Sequence, residues 1–215
     1  MKKLNLCILS LFLFSAFLFG VESEPSEIVG YVAYDCVTTA SGNNNFIALP
    51  MDTGYANTVE LGNAYLGQIN AISKWIPSSQ GWSTSFWDGT TWNDPFALDL
   101  ANAYMISVTE GITFYSVGPM VSPIQYNLIT SPTGNNNFIM VPLDRSDLTT
   151  SPSLGDDIGT ANAVSRWVAD SQGWGTTFYD GTIWNDPFTI SIAKPLMVSV
   201  TADVVWPSTR LETRN

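Results

Sequence analysis

Gly42-Asn43-Asn44-Asn45-Phe46-Ile47 returns unchanged as Gly134-Asn135-Asn136-Asn137-Phe138-Ile139. Outward from that pair, Ser79-Gln80-Gly81-Trp82 returns as Ser171-Gln172-Gly173-Trp174. Trp92-Asn93-Asp94-Pro95-Phe96 returns as Trp184-Asn185-Asp186-Pro187-Phe188, always 92 residues later. The same offset relates Trp75 to Trp167 and Met105 to Met197. Only Leu61-Gly62 against Leu154-Gly155 slips, by one residue. A fixed period sustained over a chain marks a duplicated structural unit. The expected division is a signal segment over 1–23, a first repeat over 24–118 and a second over 119–215, each the size of a small domain. The join Val117-Gly118-Pro119-Met120-Val121-Ser122-Pro123 is short and proline-stiffened, which predicts a fixed relation between the repeats.

Within each repeat the signals are those of strands. Ile28 to Val37 is rich in β-branched and aromatic residues, and so is its counterpart Pro123 to Thr130. Phe46 to Met51 is a short apolar run, the pattern of a strand buried on both faces. Ala71 to Trp75 and Gly81 to Phe86 read as two strands joined by the turn Pro77-Ser78-Ser79-Gln80-Gly81. Ala103 to Thr109 alternates Tyr104, Ile106 and Val108 with Met105, Ser107 and Thr109; its copy is Leu196 to Thr201. The least repetitive stretches, 53–67 and 145–159, leave room for one short helix each. Ser151 to Ile158 reads as such a helix, with a serine cap and a proline in its first turn. The predicted fold is all-β and mainly antiparallel: two tandem homologous sandwich- or barrel-like repeats, each with one short helix.

The order of motifs is a Gly-Asn turn, Phe-Ile-x-x-Pro-[Met/Leu]-Asp, [Ile/Val]-Ser-[Lys/Arg]-Trp, Ser-Gln-Gly-Trp and Met-[Ile/Val]-Ser-Val-Thr. It resembles an uncharacterised β-repeat found in tandem in secreted bacterial surface proteins. The resemblance spans nearly all of the chain after residue 23, and its motifs are structural. It implies extracellular modularity and assigns no activity. Unlike the larger members, this chain shows neither an added catalytic domain nor a C-terminal sorting signal.

Met1-Lys2-Lys3 followed by the apolar run Leu4 to Gly20 has the layout of a secretory signal, with cleavage expected after Ser23, the alternatives being cleavage after Gly20 or an uncleaved anchor. The run is short for a membrane span, so no membrane insertion is expected after cleavage. The formal net charge is −11, and removing Lys2, Lys3 and Glu22 makes it one unit more negative. Such a surface repels phosphate backbones and anionic lipid, which argues against nucleic-acid partners. Cleavage also removes Cys7 and leaves Cys36, read either as a buried small apolar residue or as a thiol pairing between chains.

The sequence contains no histidine. That excludes a serine-type triad, a Cys-His nucleophile and most zinc sites. Asp52-Thr53-Gly54 has the look of an aspartic-protease loop, but its copy is Asp144-Arg145-Ser146, where Arg145 would disturb a shared proton. Paired carboxylates for glycoside hydrolysis are available in Asp88 with Asp94 and Asp180 with Asp186, but their presence in both copies favours a structural role. No catalytic residue is therefore assigned. The same loops gather oxygen ligands, so Asp88, Asn93, Asp94, Asp180, Asn185 and Asp186 are the candidate calcium ligands; turns capped by their own side chains are the simpler reading.

Aromatic residues are the remaining candidates. Trp75, Trp82, Trp87 and Trp92 match Trp167, Trp174, Tyr179 and Trp184. Trp75 and Trp82 are expected to face each other across the hairpin and fill the core. Trp87 and Tyr179 differ between copies beside a turn, and are the predicted exposed ligand contacts. The expected function is that of a secreted, non-catalytic structural or cell-surface protein whose partners are itself or other surface proteins. Exchange of the strand within Glu24 to Val37 is the expected means of assembly. Carbohydrate binding through exposed aromatics is the alternative.

Overall fold

A computed structural model describes residues 29–121 and 123–208. Residues 1–28, which include the expected signal segment 1–23 and the first five residues of the segment Glu24 to Val37, lie outside the described residues, as do Ser122 and residues 209–215. The first repeat runs β1 (Val29–Cys36), β2 (Asn44–Ala48), α1 (Thr58–Ala64), β3 (Ile69–Ile76), β4 (Gly81–Trp87), β5 (Trp92–Asn93), β6 (Ala103–Val108) and β7 (Ile112–Pro119). The second runs β8 (Tyr126–Leu128), β9 (Asn136–Met140), α2 (Ser151–Ile158), β10 (Ala161–Val168), β11 (Gly173–Phe178), β12 (Pro195–Val200) and β13 (Val204–Trp206).

Each repeat is an open antiparallel sheet carrying a two-stranded ribbon and a helix. The sheets have the orders β2-β6-β3-β4-β5 and β9-β12-β10-β11, and the ribbons are β1-β7 and β8-β13. Neither sheet closes on itself, which sets aside the barrel form of the expected architecture. Ribbon and helix cover one face of their own sheet. In the first repeat Cys36 and Phe114 of the ribbon and Leu61 of α1 meet Ile47, Ile72, Tyr104 and Ile106. In the second, Leu128, Trp206 and Leu154 meet Ile139, Val164, Leu196 and Val198. Each fully buried side chain of this size contributes roughly 1.5–3 kcal/mol of apolar transfer.

The alternation read along β6 explains the layering. Tyr104, Ile106 and Val108 enter the core of their own repeat, while Met105 points away from it. That second face is also covered, because it meets the other repeat through Phe46, Met105, Phe138 and Met197. β2 and β9 are accordingly buried on both faces, as their apolar runs predict. β3 and β10 each carry an irregularity at equivalent positions, between Ile69 and Ala71 and between Ala161 and Ala163.

Two expectations change. The join around Val117–Pro119 is not a separate linker but the end of β7, paired residue for residue with β1 from Val29–Pro119 to Cys36–Ile112. The cap of α2 is Thr150, not Ser151: its hydroxyl accepts from the Ser153 backbone, the Ser153 side chain returns to the Thr150 backbone, and Ser151 lies buried in the first turn. This reciprocal cap satisfies two amides that the helix start leaves without partners. Gly62 and Gly155 let Trp92 and Trp184 lie directly on the helices. A Cβ there would stand 2.1 and 2.2 Å from the indole ring.

Candidate functional site

The repeated motifs converge between the repeats. Gln80 and Gln172 hold the left-handed backbone conformation (φ 51° and 50°) in their hairpin turns. Each side chain crosses to the other repeat. Asn44 N donates to Gln172 Oε1 (2.9 Å) and Gln172 Nε2 donates to Asn44 O (3.0 Å). Asn136 N donates to Gln80 Oε1 (2.9 Å) and Gln80 Nε2 to Asn136 O (3.0 Å). Trp167 Nε1 donates to the same Asn44 O and Trp75 Nε1 to Asn136 O, both at 2.9 Å. Gly42 and Gly134 leave space for the arriving glutamine: a Cβ on either would lie 2.8 Å from Oε1. The Gly-Asn turn of one repeat and the Ser-Gln-Gly-Trp turn of the other are thus two halves of one clasp. It is made twice, with the reciprocity of an isologous twofold interface.

A second reciprocal pair lies beside it. Tyr34 Oη donates to Ala193 O (2.9 Å) and Tyr126 Oη to Ala101 O (2.6 Å). Both alanines are left-handed, with φ 61° and 62°. Strain of this kind persists only where the surroundings fix it, and here it aims the carbonyls at the tyrosines. Burial pushes the Tyr34 hydroxyl well above the ordinary tyrosine value, so it stays a donor.

Two equivalent clefts flank the interface. One, of about 440 Å³, is lined by Tyr34, Phe46, Trp167, Ala193 and Lys194. The other, of about 340 Å³, is lined by their counterparts Tyr126, Phe138, Trp75, Ala101 and Asn102. A third cleft of about 510 Å³ adjoins the first across Trp167, Ser191 and Lys194, and adds Arg166 and Phe188. The Arg166 guanidinium lies 4.9 Å from the centroid of the Phe188 ring. Burial, then the neighbouring Arg166 charge, holds the Lys194 ammonium below the usual lysine value.

Trp87 and Tyr179 line none of these clefts. Trp87 is half-buried against Trp92 (centroids 6.1 Å apart), while Tyr179 is 40 % exposed beside Trp184 (5.3 Å). Trp75 and Trp82 do pair across their hairpin, but they do not fill the core of their own repeat. Trp75 stacks on Phe138 of the other repeat at 5.3 Å and 10°, and Trp82, 44 % exposed, meets the same ring edge-on at 5.1 Å. Register alone cannot show that the face they occupy belongs to an interface. Repeat alignment holds a clearer sign of the clefts: Lys74, Asp99 and Asn102 of the first unit stand opposite Arg166, Ser191 and Lys194 of the second.

The acidic loops close as turns. Asp88 Oδ1 accepts from the Thr90 and Thr91 amides, both at 2.8 Å, and Oδ2 from Asn93 Nδ2 (2.9 Å). These donors hold the Asp88 carboxyl down at about 2, the Asn93 bond having the largest effect. Asp180 Oδ1 accepts from Thr182 N (2.8 Å) and Ile183 N (2.9 Å), while Asn185 Oδ1 accepts from Phe178 N (2.8 Å). Asp94 and Asp186 turn the chain with φ 48° and 44°. Asp88 and Asp180 are therefore surrounded by N–H donors rather than by further oxygen ligands. Among the described residues, no group of three or more Asp, Glu, His or Cys side chains is placed to hold a metal.

Arg145 ties Asp147 and Asp157 at 2.8 Å each, and Asp157 also accepts from Trp206 Nε1 (2.7 Å), joining α2 to the second ribbon. Cys36 is 2 % exposed within the first core, and burial pushes its thiol up to about 11. Among the described residues, no helix is long and apolar enough to cross a membrane. No family model, curated protein or solved structure matches the chain.

Proposed function

We propose that the chain is a secreted, non-catalytic structural or cell-surface protein that associates with further copies of itself through the β1–β7 ribbon. The exposed face of that ribbon carries the reading. Tyr31 is 70 % exposed, Val117, its partner across the ribbon, 47 %, and Tyr115 48 %. The Tyr31 and Tyr115 rings lie 6.4 Å apart on one side. Contiguous apolar surface of this kind is a recurrent mark of protein interaction sites. Among the described residues β1 pairs in a sheet with β7 alone, which leaves the other edge of β1 for addition. Export is supported by the basic and apolar order of the first twenty residues.

Negative-stain microscopy tests the reading. The chain beginning at Glu24 should form particles larger than one molecule, and Val117→Lys should disperse them. Fields of single molecules in both samples would refute association.

The clefts beside Trp75 and Trp167 favour a second reading, a carbohydrate-binding module. Rigid aromatic walls with a few polar groups are the usual lining of small-ligand sites. Saturable quenching of tryptophan fluorescence by a glycan would support it, and silence across neutral and acidic glycans would end it.

A further inference from the structure

We propose that the recess between Arg166 and Lys194 binds a carboxylated saccharide, its carboxylate between the two cations and its ring against Trp167. This rests on the carbohydrate-binding reading and names the ligand class.

The first argument is charge. The chain has 8 basic residues against 19 acidic ones. Among the described residues Arg145 is occupied by two aspartates, while Lys74 and Arg166 lie over the Phe96 and Phe188 rings, contacts that supply no anion. Arg166 and Lys194 instead line one cleft together, and no ion pair to a described residue neutralises either. Two like charges lining one recess repel each other. An anion entering the recess offsets that repulsion.

The second argument comes from the duplication. The first repeat carries Lys74, Asn102 and Asp99 where the second carries Arg166, Lys194 and Ser191. Each change either adds positive charge, removes negative charge, or exchanges an ammonium for a forked guanidinium suited to a carboxylate. Ser83 of the first repeat is also replaced by Gly175, over which the Arg166 side chain lies. The clasp and core positions around these sites, Trp75 and Trp167 or Met105 and Met197, do not change. The first repeat therefore builds the same clasp and core with Asn102 where the second has Lys194, so neither feature requires that lysine.

The third argument is shape. Trp167 is fixed by its bond to Asn44 O and borders both adjoining clefts. A rigid indole beside a guanidinium and the Ser191 hydroxyl offers stacking, charge and hydrogen bonding to one ring-shaped acid.

The test is a fluorescence titration of the chain from Glu24 with oligogalacturonate, its methyl ester and an oligoaspartate of matched charge. Oligogalacturonate should bind saturably. The double variant R166K/K194N, which installs the residues of the first repeat, should bind it about tenfold more weakly or worse, and its unchanged urea midpoint would show that it folds. The ester should suffer a similar loss. Equal binding by wild type and variant, or oligoaspartate binding as tightly as the sugar, would overturn the proposal. Binding of neutral glycans without oligogalacturonate would sink this proposal alone; binding of no saccharide would sink it together with the carbohydrate reading.

Discussion

Replacing Gln172 by alanine removes one half of the inter-repeat clasp and little else. Its amide makes three bonds: from Asn44 N at 2.9 Å, to Asn44 O at 3.0 Å and to Ala169 O at 2.7 Å. At about 1 kcal/mol net for each, the loss is about 3 kcal/mol. Asn44 O keeps its bond from Trp167, whereas Asn44 N loses the partner described for it. Alanine inherits the left-handed backbone at this position (φ 50°). Glycine does not pay for that conformation, so Gln172→Gly should be more stable than Gln172→Ala by about 1 kcal/mol. Gln80→Ala should match Gln172→Ala, since its contacts are the same. The glutamines share no partner, so the double variant should lose about 6 kcal/mol. Urea unfolding followed by tryptophan fluorescence measures all four variants. A loss under about 0.5 kcal/mol for Gln172→Ala, the size of an ordinary surface substitution, would refute the clasp as a source of stability.

Three further outcomes follow from the packing and the turns. Gly155→Ala improves helix propensity by about 1 kcal/mol, yet its Cβ would stand 2.2 Å from Trp184; the net effect in thermal melts should be a loss of about 1–3 kcal/mol, and a gain would contradict the packing. Cys36, pushed up to about 11 and buried, should react with a thiol reagent only slowly at about pH 8, and rapidly once urea unfolds the chain. Asp88, held down at about 2, lies below the ordinary aspartate value of about 3.9. Its contribution to stability is therefore complete above about pH 4 and lost as pH falls through about 2. A carboxyl carbon titration by NMR should give that low midpoint, and Asn93→Asp should raise it.

The sequence displays this fold wherever the signal is local. The hairpin of β3 and β4 is legible because its strands flank the four-residue turn Pro77-Ser78-Ser79-Gln80, and β2 and β9 because a short apolar run needs two covered faces. Helix α1 carried a legible start as well: Asn57 accepts from Glu60 N, and the Glu60 side chain reaches back to Ala56 N, three residues and one turn apart. β7 was hidden because its partner β1 lies some eighty residues away, and Gly118-Pro119 imitates a linker. The clasp was hidden for a related reason. Gln80 and Gln172 have ordinary turn contexts, and their partners are known only once the repeats face each other. The same holds for Trp75 and Trp167, whose pattern fits a core and an interface equally well. Lys194 is different: its exchange for Asn102 was visible in the aligned repeats, and only the shared cleft with Arg166 gives that exchange a meaning.

Sedimentation velocity of the chain from Glu24, over a wide concentration range and beside the variant Y31S/V117K, tests self-association through the ribbon most directly. The wild type should shift to larger species as concentration rises, while the variant stays a monomer with an unchanged urea midpoint. A wild type that remains monomeric throughout, or a variant that associates as the wild type does, would contradict the account.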